Sequence, residues 1–187
     1  MKIRLAAYLQ PDSIVDGEGI RTVIWTQGCI HNCYGCHNPE THDIKGGALI
    51  DVEEVIEDLK NLEGQDGITF SGGDPMMQVE ACLEIAKAAK ECNLNIWCYT
   101  GYTFEQLLQI SKKKSSLLEF LNLIDVLIDG KFILEEKSLN LKFRGSKNQR
   151  IIDPKKSLQI GEVFIIDSLM KEDNNEVINK IEEGVFI

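Results

Sequence analysis

Long apolar runs are missing from this chain of 187 residues: nowhere do roughly eighteen apolar residues stand together, so no membrane-spanning helix is expected. The opening MKIRLAAYLQPD has no apolar h-region and no small-residue cleavage site. That argues against a secretory signal and for a cytoplasmic protein without a membrane partner. Basic residues are outnumbered, 20 against 30 acids, and the net charge of −10 repels phosphate unless positive charge is gathered in one place. No nucleic-acid partner is expected. Aromatic residues make up only 7% and prolines number 4, yet 43% of the chain is hydrophobic, enough to bury a core and to exclude disorder. No repeat, low-complexity tract or linker interrupts it. A single domain over residues 1–187 is expected, with a core over about 12–167 and a peripheral acidic tail over 168–187.

What is present alternates between extended and helical patterns. Residues 22–27 are rich in β-branched and aromatic side chains and end at Gly28, which predicts a buried strand running into a cysteine loop. From Asp51, spaced like a capping box with Glu54, the residues Val52, Val55, Ile56 and Leu59 recur at helical period until Gly64. A strand over 67–70 leads into Ser71-Gly72-Gly73-Asp74-Pro75, and Val79, Cys82, Leu83, Ala86 and Ala89 mark the next helix. Residues 94–99 predict a third strand, a helix opens at Thr103, and residues 125–129 predict a fourth strand; 149–152 and 163–166 are further extended candidates. Such alternation implies parallel pairing with right-handed crossovers, and functional loops at the carboxyl ends of the strands. The cysteines, the Gly-Gly-Asp turn and Asp129 would meet there.

Six cysteines are sparse for a disulfide scaffold at this length, and three crowd into eight residues. Cys82, Cys92 and Cys98 lie in apolar or mixed surroundings and are assigned no chemistry. Cys29, Cys33 and Cys36, spaced C-x3-C-x2-C, suit a soft metal centre. One reading is a zinc site completed by His31, His37 or His42. The other is a 4Fe–4S cluster that keeps one iron without a protein ligand. In Gly72-Gly73-Asp74-Pro75 the missing side chains would let a ligand approach the backbone and the acid would receive a cationic group; an ordinary turn is the reading those residues favour when taken alone. Residues 131–156 hold eight Lys or Arg against three acids, about +5, either a solvated face or a docking segment.

The cysteine loop and the Gly-Gly-Asp turn together resemble the radical S-adenosylmethionine enzymes. Asp16-Gly17-Glu18-Gly19-Ile20-Arg21, Thr26-Gln27-Gly28-Cys29 and Cys36-His37-Asn38-Pro39-Glu40-Thr41 are similar to runs typical of the glycyl-radical-enzyme activases. Tyr99-Thr100-Gly101-Tyr102-Thr103, residues 124–129 and Phe143-Arg144-Gly145-Ser146-Lys147-Asn148-Gln149-Arg150 resemble the branch of that family that acts on anaerobic ribonucleotide reductase. The likeness runs from about residue 12 to about 153. Gly35 stands where many radical enzymes have an aromatic against the adenine, Glu18 replaces a usual proline and His42 a frequent tryptophan.

The resemblance implies that Cys29, Cys33 and Cys36 hold a 4Fe–4S cluster whose open iron chelates S-adenosylmethionine through its amino and carboxylate groups. It implies reductive cleavage to methionine and a 5′-deoxyadenosyl radical, which takes hydrogen from a glycine of anaerobic ribonucleoside-triphosphate reductase, the protein substrate. An electron donor such as flavodoxin or ferredoxin is implied as second partner. Gly72, Gly73 and Asp74 would meet the methionine amino end, Gly35 and His37 the nucleoside, with Thr100 also among the cofactor-binding residues. Asp129 and Lys131 look like an Asp-x-Lys near the methionine end, where Lys131 would offset carboxylate charge; a plain strand-end Asp with a solvated Lys is the alternative. Residues 144–150 either dock the partner or form a fold-stabilising turn. A closed eight-stranded barrel takes about 200 residues or more. An α/β fold is therefore expected, a partial, open (β/α) barrel of the radical S-adenosylmethionine type with five or six mainly parallel strands, whose open side admits the partner. The competing activities are activation of another glycyl radical enzyme, a small-molecule radical reaction, an iron–sulfur electron carrier and a zinc-stabilised module.

Overall fold

The computed structural model describes residues 1–172. Most of the expected acidic tail, residues 173–187, lies outside the described residues. Among the described residues eight strands form one mixed, open sheet: β1 (Lys2–Leu5), β2 (Gln10–Ser13), β3 (Arg21–Thr26), β4 (Ala48–Asp51), β5 (Gly67–Gly72), β6 (Asn95–Tyr99), β7 (Val126–Asp129) and β8 (Arg150–Ile152). Their order is β4-β1-β3-β5-β6-β7-β8, with β2 also paired to β3. Among the described residues five α-helices accompany them: α1 (Val52–Lys60), α2 (Val79–Glu91), α3 (Phe104–Ser111), α4 (Ser115–Leu123) and α5 (Pro154–Ile160). No helix among the described residues is long and apolar enough to cross a membrane.

The centre of the sheet follows the sequence pattern. β3, β5, β6 and β7 pair in parallel and are buried along most of their length, as continuous apolar runs between two covered faces require. The edges differ from expectation. The strand count is eight rather than five or six, because β1, β2 and β4 add to it, and the pairings β1–β3, β1–β4, β2–β3 and β7–β8 are antiparallel. The packed interior also begins before residue 12, since Ile3 and Leu5 are fully buried. Residues 163–166 do not form a strand; Ile165 makes a single bridge to Ile152. At α1 the capping box is absent: Asp51 takes the N-cap position without a side-chain bond. Thr103 and Gln106 form the reciprocal box at α3 instead.

Apolar side chains divide between the two faces. Ile24, Phe70, Cys98 and Leu127 pack with helix residues such as Ile85 and Phe120, and Phe70 meets Phe120 edge-on at 5.4 Å. A smaller cluster joins Trp97, Val126, Ile128 and Ile151 to Leu169. The stretch just after residue 167 is therefore packed rather than peripheral.

Arg21, at the start of β3, is 1% exposed. Its Nε donates to Thr69 Oγ1 at 2.7 Å, and its terminal nitrogens donate to the carbonyls of Glu18, Ile68 and Asn95. The guanidinium lies 5.3 Å from the Trp97 ring, and burial lowers its pKa to about 10. Gly17 lies beneath it with φ +135, and a Cβ there would come within 2.8 Å of both Arg21 and Trp97. Arg21 thus ties the 16–21 loop to three strands. An Arg21→Ala variant should lose about 3 kcal/mol of stability, because buried carbonyls lose their donor and a cavity opens under Trp97; urea unfolding measures the loss, and an unchanged midpoint would assign the fastening elsewhere.

Candidate metal and cofactor site

The carboxyl ends of β3, β5, β6 and β7 surround one cavity of about 460 Å³, within the range of small-ligand sites. The cysteine loop enters it from β3 and is stapled where it leaves the sheet. Gln27, 4% exposed, donates from Nε2 to the carbonyls of Glu40 at 3.1 Å and Asp43 at 2.8 Å. The Gly28 and Cys29 amides donate to the carbonyls of Thr41 and His42. Between those ends the chain winds through left-handed positions at Asn32 (φ 48) and Gly35 (φ 73). All six cysteines are free thiols. Burial pushes the Cys29 thiol up, partly opposed by the His31 backbone N–H. The Asn38 amide donates to Cys36 Sγ at 3.4 Å, a contact of the kind that tunes a metal-bound sulfur.

The glycines of the Gly-Gly-Asp turn also have a reason within the fold itself. A Cβ on Gly72 would stand 2.6 Å from the Thr26 carbonyl oxygen, and one on Gly73 2.5 Å from that of Gly28. The missing side chains therefore make room for the end of β3, and the Gly73 and Asp74 amides donate to those same two carbonyls. Asp74 is 1% exposed. Its carboxylate accepts from the Met76 and Gly101 amides, from Thr100 Oγ1 and from His31 Nε2, the last at 2.6 Å. The cation-capable group that meets Asp74 is thus His31, a residue the sequence reading considered only as a zinc ligand.

The cavity lining brings together Cys29, Cys33, Cys36, His37, Gly72, Gly73, Asp74 and Thr100, and leaves out Gly35, Asp129 and Lys131. Gly35 is exposed, with a Leu134 methyl 3.1 Å from where a Cβ would be. Asp129 faces Arg150, which donates to both its oxygens, and accepts from the Phe104 amide at the start of α3. Lys131 is exposed. The 144–150 segment is a fold-stabilising turn in its contacts: Arg144 donates to the carbonyls of Lys147, Gln149 and Met170, and Gln149 Oε1 accepts from the Gly145 and Ser146 amides. The sequence reading missed Phe132, which lines the cavity with its ring 4.8 Å from His37. Gly145 lies where a Cβ would crowd both rings, 3.0 Å from Phe132 and 3.1 Å from His37; a glycine amid larger residues was the available signal.

Among the described residues no three His, Cys, Asp or Glu side chains are gathered as a single metal ion requires. Three soft thiols lining one cavity have the chemistry that suits an iron–sulfur cluster. The lining includes Asp74 and Thr100 as well as the apolar Phe132, Leu141 and Phe143. His42 Nε2 and Arg144 Nε are buried there without a hydrogen-bond partner among the described residues.

Comparison with known proteins agrees with this chemistry. The model of a 4Fe-4S single cluster domain family matches residues 15–152. The anaerobic ribonucleoside-triphosphate reductase-activating protein of Haemophilus influenzae is 40% identical over 154 residues, covering 77% of this chain and 96% of that protein. The proteins of the same name from Escherichia coli K12 and from enterobacteria phage T4 are 34% and 36% identical, covering 74% and 76% of this chain and 92% and 90% of their own lengths.

Arg150 also grips Glu105 with two bonds of 3.0 and 2.8 Å, which lowers the Glu105 pKa from 4.5 to about 2. A carboxylate so depressed stabilises the fold above its unfolded pKa, and that share is lost as pH falls toward the folded one. Glu105 is 57% exposed, so solvent screening holds the share below about 1 kcal/mol. Between about pH 5 and pH 2 the urea midpoint of the native protein should fall more steeply than that of Glu105→Gln; parallel curves would show that the pair contributes nothing.

Proposed function

The chain belongs to the 4Fe-4S single cluster domain family and, within it, to the anaerobic ribonucleoside-triphosphate reductase-activating proteins, and on that premise we propose that it is the activase of an anaerobic ribonucleotide reductase. The observation that carries the reading is the convergence of three thiols from one loop with the Gly72–Gly73–Asp74 turn on a single cavity. Cys29, Cys33 and Cys36 ligate the cluster, and S-adenosylmethionine is the second cofactor. When bound and reduced, the cluster would supply the electron for reductive cleavage of S-adenosylmethionine, the chemistry that would abstract hydrogen from a glycine α-carbon of the reductase.

The chain's own groups bind, orient and shield. The backbone of Gly72 and Gly73, with Asp74 and Thr100, receives the methionine end. His37 and the apolar Phe132 accept the nucleoside, with Leu134 and Gly35 closing that side. Asp129 contributes by holding Arg150 and the start of α3. Lys131, exposed and outside the cavity lining, follows Gly130 of the lining, and its role is to bring a positive charge toward the cofactor's carboxylate when the cofactor is bound. Burial of the cavity floor excludes water and oxygen. The open sheet with its parallel centre supports a partial (β/α) barrel of the radical S-adenosylmethionine type, acting as one domain in the cytoplasm. Its open side leaves room for the reductase's glycine loop, and a small redox protein such as flavodoxin or ferredoxin serves as electron donor.

The test is anaerobic. Reconstituted with iron and sulfide and reduced, the protein should form 5′-deoxyadenosine from S-adenosylmethionine, and with the reductase present a glycyl doublet should appear by electron paramagnetic resonance. Cleavage without a doublet would send the search to another substrate, and no cleavage would end the radical reading. Cys33→Ser should lose the cluster and at least about 99% of the cleavage, in keeping with the cost of removing a residue that acts with others as one catalytic unit; full activity in that variant would refute its role as a ligand.

A further inference from the structure

His31 lies between two of the proposed cluster ligands, and no role in the reaction has been assigned to it. Its ring is wedged: a Cβ on Gly101 would fall 2.3 Å from the His31 ring, and Tyr102 stands edge-on at 4.6 Å. The His31 side chain is 7% exposed. Its Nε2 meets Asp74, whose other bonds come from Thr100, the Gly101 amide and the Met76 amide. Asp74 follows β5, and Thr100 and Gly101 follow β6, so one imidazole joins the cysteine loop to the ends of two strands. The backbone bonds that fasten the cysteine loop lie at its ends, at Gly28 and Cys29 on one side and Thr41 and His42 on the other. The interior carrying Cys33 is held across the cavity through His31.

From this geometry we infer that His31 is a positioning residue, which through Asp74 holds the thiols of Cys29 and Cys33 in register with the turn that receives the cofactor. The inference rests on the activase reading and deepens it: cluster seat and cofactor seat are one unit, joined by a histidine that ligates neither. Asp74 consequently serves the cofactor while already bonded, as the anchor of the loop and as part of the turn.

Three variants of the full chain separate bonding from packing. His31→Ala removes both, His31→Phe keeps a ring against Gly101 and Tyr102 without the nitrogen, and His31→Gln restores an N–H donor. Each is reconstituted anaerobically, its iron and sulfide are counted, and its affinity for S-adenosylmethionine is measured by equilibrium dialysis. The resonance spectrum of the reduced cluster is then recorded with and without the cofactor. All three keep the three cysteines and should assemble a cluster. His31→Ala and His31→Phe should bind S-adenosylmethionine about ten- to a hundredfold more weakly and show a smaller cofactor-induced change in the spectrum per cluster, and His31→Gln should recover most of both. A purely structural role would lower thermal stability and iron loading while the loaded fraction kept its normal spectral response. Native affinity and response in His31→Phe would overturn the inference, and that variant decides the matter with His31→Gln if His31→Ala does not fold. A native protein that assembles no 4Fe–4S cluster or ignores the cofactor would overturn the activase reading itself, a result distinct from a variant that matches a responsive native protein.

Discussion

The site depends on the parallel register between β3 and β5, in which Thr26 stands opposite Gly72. Both strands end at the same level, so the loop that leaves β3 with the cysteines and the turn that leaves β5 begin side by side. Backbone bonds from Gly73 to Thr26 and from Asp74 to Gly28 carry the pairing past the last strand residues. Side chains at 72 or 73 would collide with the neighbouring backbone and force the ends apart. The gathering of three thiols and a carboxylate at one cavity thus follows from how closely two strands can approach.

Much of this was legible in the sequence, for a physical reason. The runs over 22–27, 67–70, 94–99 and 125–129 are continuous because they are covered on both faces, and each became a central strand. β2 (QPDS) and β4 (ALID) were not legible, since they are mostly exposed and carry no alternation to read. The cysteines and the Gly-Gly-Asp turn were found as types of chemistry, and the structure gathers them. The packing role of the glycines was not legible, because a glycine that spares a ligand and one that spares a strand look identical in one dimension. His31 was weighed only as a ligand for the same reason: its partner lies 43 residues away, and nothing local announces the contact.

The segment between β7 and β8 does more than its charge suggested. Although it is rich in basic residues, Arg150 is bound to Asp129 and Glu105 and Arg144 to three carbonyls. Its Phe132 and Leu134 lie against His37 and Gly35 of the cysteine loop. The segment therefore flanks the cysteine loop as well as packing on itself.

The staple at Gln27 bears on what happens when an inorganic centre is lost. Drawing together the ends of a loop of this size costs on the order of 2 kcal/mol in chain entropy, and the protein meets that cost with bonds from Gln27, Gly28 and Cys29 that involve no metal. On the proposed reading, a chain stripped of its iron would keep a closed loop rather than a loose strand, and repair would be a matter of supplying iron and sulfide to a mould that has kept its shape.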